Sequence, residues 1–184
     1  MSANESLKGR LLVASPALHD PNFRRTVVLV TEHNDEGAMG LVLNRAAEAT
    51  VEEVVPALAS LAGADAAVHV GGPVQPSAVV VLAEFQDPAE AAAVVLGDVG
   101  FMHAEADPAD LEGRTRRLRA FAGYAGWGAG QLESELEEES WIVEPALPDD
   151  PFTADPEGLW SEVLRRKGGR YALVATMPLD PSLN

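Results

Sequence analysis

The chain has 184 residues and no cysteine, and its 13 Lys+Arg stand against 29 Asp+Glu for a net charge of −16. One domain fits this length, with a core that buries roughly 70% of the surface an unfolded chain exposes. The missing cysteine excludes disulfides, thiolate metal sites and a cysteine nucleophile together. The charge argues against nucleic acid and anionic membranes as direct partners, because neutralising phosphate takes clustered Lys and Arg.

Residues 1–8 read as a flexible N-terminus to a single domain spanning 1–184. The apolar run Leu11 to Ala14 is too short for a signal-peptide core, and no window approaches ~20 uninterrupted apolar residues, so the expected location is cytoplasmic. Arg10 to Ser15 predicts a strand, followed by a loop over Pro16 to Asn22. Thr26 to His33, dense in β-branched residues, predicts a buried strand that turns back through Asn34 to Gly37 into Ala38 to Asn44 as an antiparallel hairpin. Thr50 suits an N-cap, with Val51, Val54, Val55, Leu58 and Leu61 at helical spacing. Pro56 falls inside that pattern and predicts a kink or split, and Gly63 ends the helix.

Ala67 to Val70, Ala78 to Phe85 and Ala93 to Ala104 predict further strands, the last folded back at Gly97-Asp98. Arg114 to Tyr124 predicts a strand, Gln131 to Glu139 a helix and Ser140 to Glu144 a strand. A loop with four prolines, Pro145 to Pro156, leads into an amphipathic helix over Glu157 to Lys167, and Tyr171 to Met177 predicts a last strand. Strands in consecutive runs with single helices between them give an α+β fold with a mixed, mostly antiparallel sheet.

Four glycines in Gly123 to Gln131 lie between a predicted strand and a predicted helix, where backbone N–H groups can cradle phosphate. Their spacing fits neither the dinucleotide fingerprint nor a Walker loop, and Glu133 and Glu135 would repel an anion. Close packing of Tyr124, Trp127 and their backbone is the preferred reading. Arg114, Arg116, Arg117 and Arg119 would split between two faces of a strand, which favours charge pairing with the Glu133 to Glu139 run over a nucleic-acid stripe. His103, Glu105 and Asp107 share one face of an extended segment, but Pro108 interrupts it, and His33 and His19 have equally thin settings. No metal site and no cofactor are assigned. No Gly-x-Ser-x-Gly or other nucleophile signature is present, so catalytic residues stay unassigned and the balance leans away from an enzyme.

Read together, GRLLVASPALHDPNFRRTVVLVTEH (Gly9 to His33), GAMGLVLNR (Gly37 to Arg45), GGPV (Gly71 to Val74), GYAGWGAGQLESE (Gly123 to Glu135) and the following Trp141 resemble the AlgH/YqgE family, in register to about Asn184. The resemblance implies a compact α+β domain whose bulged sheet curls toward a barrel, flanked by a few helices. It brings no established catalytic residue or cofactor. One bacterial branch linked to alginate production carries a transcriptional-regulator label, yet this chain shows no helix-turn-helix pattern and has the wrong charge for direct DNA binding.

The expected binding surface is Arg24, Arg25 and Thr26 at one strand entry, Asn44 and Arg45 at the hairpin end, and Tyr124, Trp127 and Gln131 in the glycine segment. The first functional reading is a non-enzymatic binding or regulatory domain with a protein or small-ligand partner. The alternative is a small-molecule binder or enzyme with a pocket formed by Tyr124, Trp127 and a convergent arginine.

Overall fold

The computed structural model describes residues 5–178. Its strands are β1 (Arg10–Ala14), β2 (Val27–Asn34), β3 (Gly37–Val42), β4 (Ala46–Thr50), β5 (Ala67–Val70), β6 (Val74–Phe85), β7 (Ala93–Leu96), β8 (Val99–Phe101), β9 (Thr115–Gly128) and β10 (Trp141–Pro145). The helices are α1 (Val51–Val54), α2 (Ala59–Ala62), α3 (Gln131–Glu137), α4 (Leu159–Lys167) and α5 (Arg170–Val174). The sheet order is β10-β1-β2-β3-β9-β6-β8-β7, with β4 paired to β5 and β5 parallel to β9. All other pairings are antiparallel, register shifts interrupt several of them, and the sheet curls without closing.

The first three strands are apolar at consecutive positions because both of their faces are covered. Leu11, Val13, Val27, Leu29, Leu41 and Leu43 pack toward α4 with Trp160, Val163 and Leu164. Leu12, Ala14, Val28, Val30 and Val42 face Trp127, Leu132 and Trp141 on the other side. Each fully buried leucine contributes about 1.5–3 kcal/mol, so the sheet is fixed from two sides. Trp160 adds a buried indole N–H bond to the Ala14 carbonyl at 2.9 Å. Leu7, within the stretch expected to be flexible, is buried, and its N–H donates to His33 Nδ1 at 3.0 Å; residues 1–4 lie outside the described residues.

The predicted helix after Thr50 forms and splits at Pro56. Thr50 and Glu53 make a reciprocal capping box on α1, a single 3₁₀ turn covers Pro56–Leu58, and α2 ends at Gly63. The Gly97-Asp98 fold-back also forms, between β7 and β8.

Three expectations are corrected. The glycine segment is not a loop: Gly123–Gly128 belong to β9, and Gly37↔Gly128 through Gly40↔Ala125 pair it with β3. The chain crosses itself there, since a Cβ on Gly72 would collide with the Tyr124 backbone and one on Gly123 with the Gly72 carbonyl. Only glycines permit that approach, and both have positive φ. Tyr171 to Met177 is not a strand: Arg170–Val174 form α5 against α4, because β10 occupies the sheet edge and a short apolar run fits either period. Finally, the arginines of the β9 cluster do not pair with the Glu133 to Glu139 run. They meet carboxylates and carbonyls of the β6–β8 side and of the proline-rich loop, because β9 carries them to the opposite end of the sheet from α3. Among the described residues no helix is long and apolar enough to cross a membrane.

Candidate functional site

The strand entry and the hairpin end do meet. Asn44 Oδ1 accepts from the Val27 N–H at 2.9 Å while its Nδ2 donates to the Arg25 carbonyl at 2.8 Å. Arg45 donates to the carbonyls of Asn22, Pro21 and Arg24. Thr26 is fully buried with its hydroxyl on the Phe23 carbonyl. Arg25, at φ 57, lays its guanidinium 4.0 Å from the centre of the Trp160 ring and donates to the Met177 carbonyl. These side chains clamp backbone carbonyls, so much of their hydrogen-bonding capacity is committed within the fold.

Tyr124 and Trp127 point to opposite faces of β9. Tyr124 packs toward the α4 side, whereas Trp127 is only 6% exposed and sits 6.2 Å from Phe23 and 6.1 Å from Trp141. Gln131 Oε1 accepts from the Gly128 N–H and closes the turn into α3. The hollow beside Trp127 measures about 210 Å³ and is lined by Glu32, Asn34, Glu36 and neighbours, without Tyr124 or an arginine. Burial raises the Glu135 carboxyl pKa, opposed by the Trp127 and Trp141 indoles that face it. Trp141 Nε1 and Glu135 Oε2 are both shielded from solvent and without a hydrogen-bond partner.

In the β9 cluster, Arg114 pairs with Glu90 and Arg116 with Asp98, both at 3.2 Å. Arg117 joins Glu84 at 3.0 Å and Asp149 at 2.7 Å, and Arg119 donates to the carbonyls of Pro151 and Thr153. His69 lies beside this group, 3% exposed and without a partner on either nitrogen. Burial, and then the Arg119 charge, lower its pKa to about 4, so the ring is neutral at pH 7. Asp107 turns its carboxylate onto the Ala109 N–H, and among the described residues no three His, Asp or Glu converge.

An open apolar groove lies elsewhere. β8 pairs with β6 only at Leu82–Glu84, and the last rung is the Met102 N–H to the Val81 carbonyl. Beyond it the chain departs, leaving the flank of Val79 and Val80 without a neighbouring strand. The split helix lies opposite with Val55 and Leu58. The result is a groove of about 590 Å³ with Val79, Phe101 and Met102 among its walls and His103, exposed at the rim, as its one titratable lining side chain. None of the eight residues expected at the binding surface lines it. The sequence signal was present in two forms: the Pro56 split, and the apolar residues Phe101 and Met102 standing past the last turn signal.

Fold and site define the class: one α+β domain organised around a strand shared by both halves, with an apolar groove where the sheet loses a neighbour. A family model described as AlgH-like matches residues 11–172, and the chain belongs to that family. It is 46% identical over 190 residues to a UPF0301 protein of Streptomyces avermitilis, covering 100% of this chain and 98% of that one. Among solved structures, a Corynebacterium diphtheriae protein superposes with TM-score 0.84 at 30% identity, covering 96% of this chain and 95% of the other. The solution structure of the AlgH protein from Pseudomonas aeruginosa gives 0.72 at 32% identity and 97% of each.

Proposed function

We propose that the chain is a cytoplasmic, non-enzymatic binding domain, and that its ligand is a small amphiphile whose aliphatic body lies in the groove between the split helix and β6. The groove is the observation that carries this reading. Its volume of about 590 Å³ falls within the roughly 300–1,000 Å³ of small-molecule sites. Its walls are mostly aliphatic, joined by the Met39 and Met102 thioethers and the Phe101 ring, which suits a saturated chain. Glu52 and Glu53 are exposed on α1, and Glu105 and Asp107 follow His103 in the chain, so the surroundings favour a neutral or cationic end over an anionic one. A protein partner is the weaker reading, and direct DNA recognition is weaker still, since every arginine of β9 is committed within the fold.

Octylamine is the probe, titrated into isotope-labelled full chain. Saturable shifts at Val55, Val79 and Met102 are expected, with octanoate binding at least several-fold more weakly. Ala57→Trp, which puts an indole at an exposed lining position, should weaken octylamine by roughly tenfold or more. An unsaturable titration, or an Ala57→Trp variant that binds as the parent does, would sink the reading.

A further inference from the structure

A second cleft lies at the far end of the strand order, between the edge strand β10 and the α4–α5 pair. Its volume is about 550 Å³. Trp141, Ile142 and Val143 form one wall, and Tyr171 and Val174 the other. Two cations flank the Tyr171 ring, Lys167 Nζ at 5.2 Å and the Arg170 guanidinium at 5.1 Å from its centre. Arg170 is exposed, donates to the Tyr171 hydroxyl at 3.1 Å and forms no ion pair among the described residues. Ser15 Oγ also lines the cleft, shielded from solvent and without a hydrogen-bond partner.

We infer that this cleft binds a small organic anion with an aromatic or branched apolar body. The charge is the telling feature. In a chain of net charge −16, four of the 13 Lys+Arg fall within residues 165–170, and Arg170 stands at the mouth of the cleft with no carboxylate at ion-pair distance among the described residues, the Glu139 charge acting on it only from the rim. A guanidinium pre-positioned by stacking loses little freedom on meeting a carboxylate. The Tyr171 ring, flanked by both cations, can meet an aromatic body. Glu139 on the rim disfavours a second negative charge, which narrows the class to monoanions.

An added peptide strand is a poorer occupant, although β10 is a sheet edge. Lys167 Nζ already donates to the Val143 carbonyl at 2.9 Å, and Pro145 at the strand end has no N–H to offer. This inference is independent of the groove reading, since no residue lines both sites.

The experiment compares 3-phenylpropionate with neutral 3-phenylpropanol by NMR titration of the full chain. The acid should give saturable shifts at the Trp141 indole and Tyr171, and the alcohol should bind roughly tenfold more weakly. Arg170→Ala should weaken the acid by a similar factor without changing the melting temperature, whereas Ala57→Trp should leave it unchanged. Equal binding of acid and alcohol, an unaffected Arg170→Ala variant, or the absence of saturation at millimolar ligand would overturn the assignment.

Discussion

Two stretches of this acidic chain each carry four cations in six residues, Arg114 to Arg119 at the start of β9 and Arg165 to Arg170 at the α4–α5 corner. Composition cannot tell them apart; their partners can. In the β9 cluster all four are tied to carboxylates or carbonyls of neighbouring elements. At the corner, Arg166 grips the buried Asp150 with two nitrogens and Lys167 reaches Val143 and Glu144, while among the described residues Arg170 has only the Tyr171 hydroxyl as a hydrogen-bond partner, with the Glu139 charge nearby. A basic cluster therefore signals binding only after its internal bonds are subtracted. A strand in mid-sheet has neighbours on both sides to supply acids, and a helix corner at the sheet edge has fewer.

The largest test of this contrast lies inside the corner itself. Arg166→Ala strands Asp150, 3% exposed, with only the Leu147 N–H for company, and should cost about 3–5 kcal/mol in chemical denaturation. A loss below about 1 kcal/mol would mean that the corner is as loosely held as its exposed cations suggest.

His69, buried beside the β9 cluster, resists a proton first because it is buried and then because of the Arg119 charge. Its folded pKa of about 4 lies below the unfolded 6.5, so the folded state disfavours the proton. Stability is therefore untouched above pH 6.5, declines as the pH falls below it, and has lost about 3 kcal/mol once the pH is under 4. Glu133, whose carboxyl pKa His33 lowers, acts in the same acid direction. Comparison of the parent with His69→Leu isolates the histidine: the variant's pH profile should be flatter between 6.5 and 4, and parallel profiles would remove His69 from the account.

The smallest effects separate positions within the β9 cluster. Arg119→Ala loses two charge-assisted bonds to carbonyls and should cost about 1–3 kcal/mol. Arg114→Ala, on a side chain 61% exposed, should stay within about 0.5 kcal/mol. Equal costs at the two positions would erase the distinction between the held and the exposed ends of the cluster.

Most of the sheet was legible because its signals are local. Thr26 to His33 and the turn after it specify a hairpin by β-branching and Asp/Gly chemistry alone, and Pro56 announces its own split. What was missed depends on partners. Ala46–Thr50 has little strand propensity and becomes β4 only by lying against β5. The expected site residues at the two strand ends do converge, because Asn44 closes the hairpin across Val27 and Arg25. The groove was hidden for a different reason: it exists where β8 stops short of its neighbour, and one strand's length relative to another is not written in either segment.

For a chain emerging from the ribosome, β9 arrives late and is met from three directions. It takes β3 on one side at Gly37–Gly40, β6 along most of its length, and β5 in parallel. Until residue 128 has emerged, the β2–β3 hairpin and β6 both present open edges with no strand to receive them. The two halves of the sheet therefore cannot mature one after the other, as independent hairpins would. They join in one late, non-local step, and the interval before it is when this protein is most exposed to edge-to-edge association.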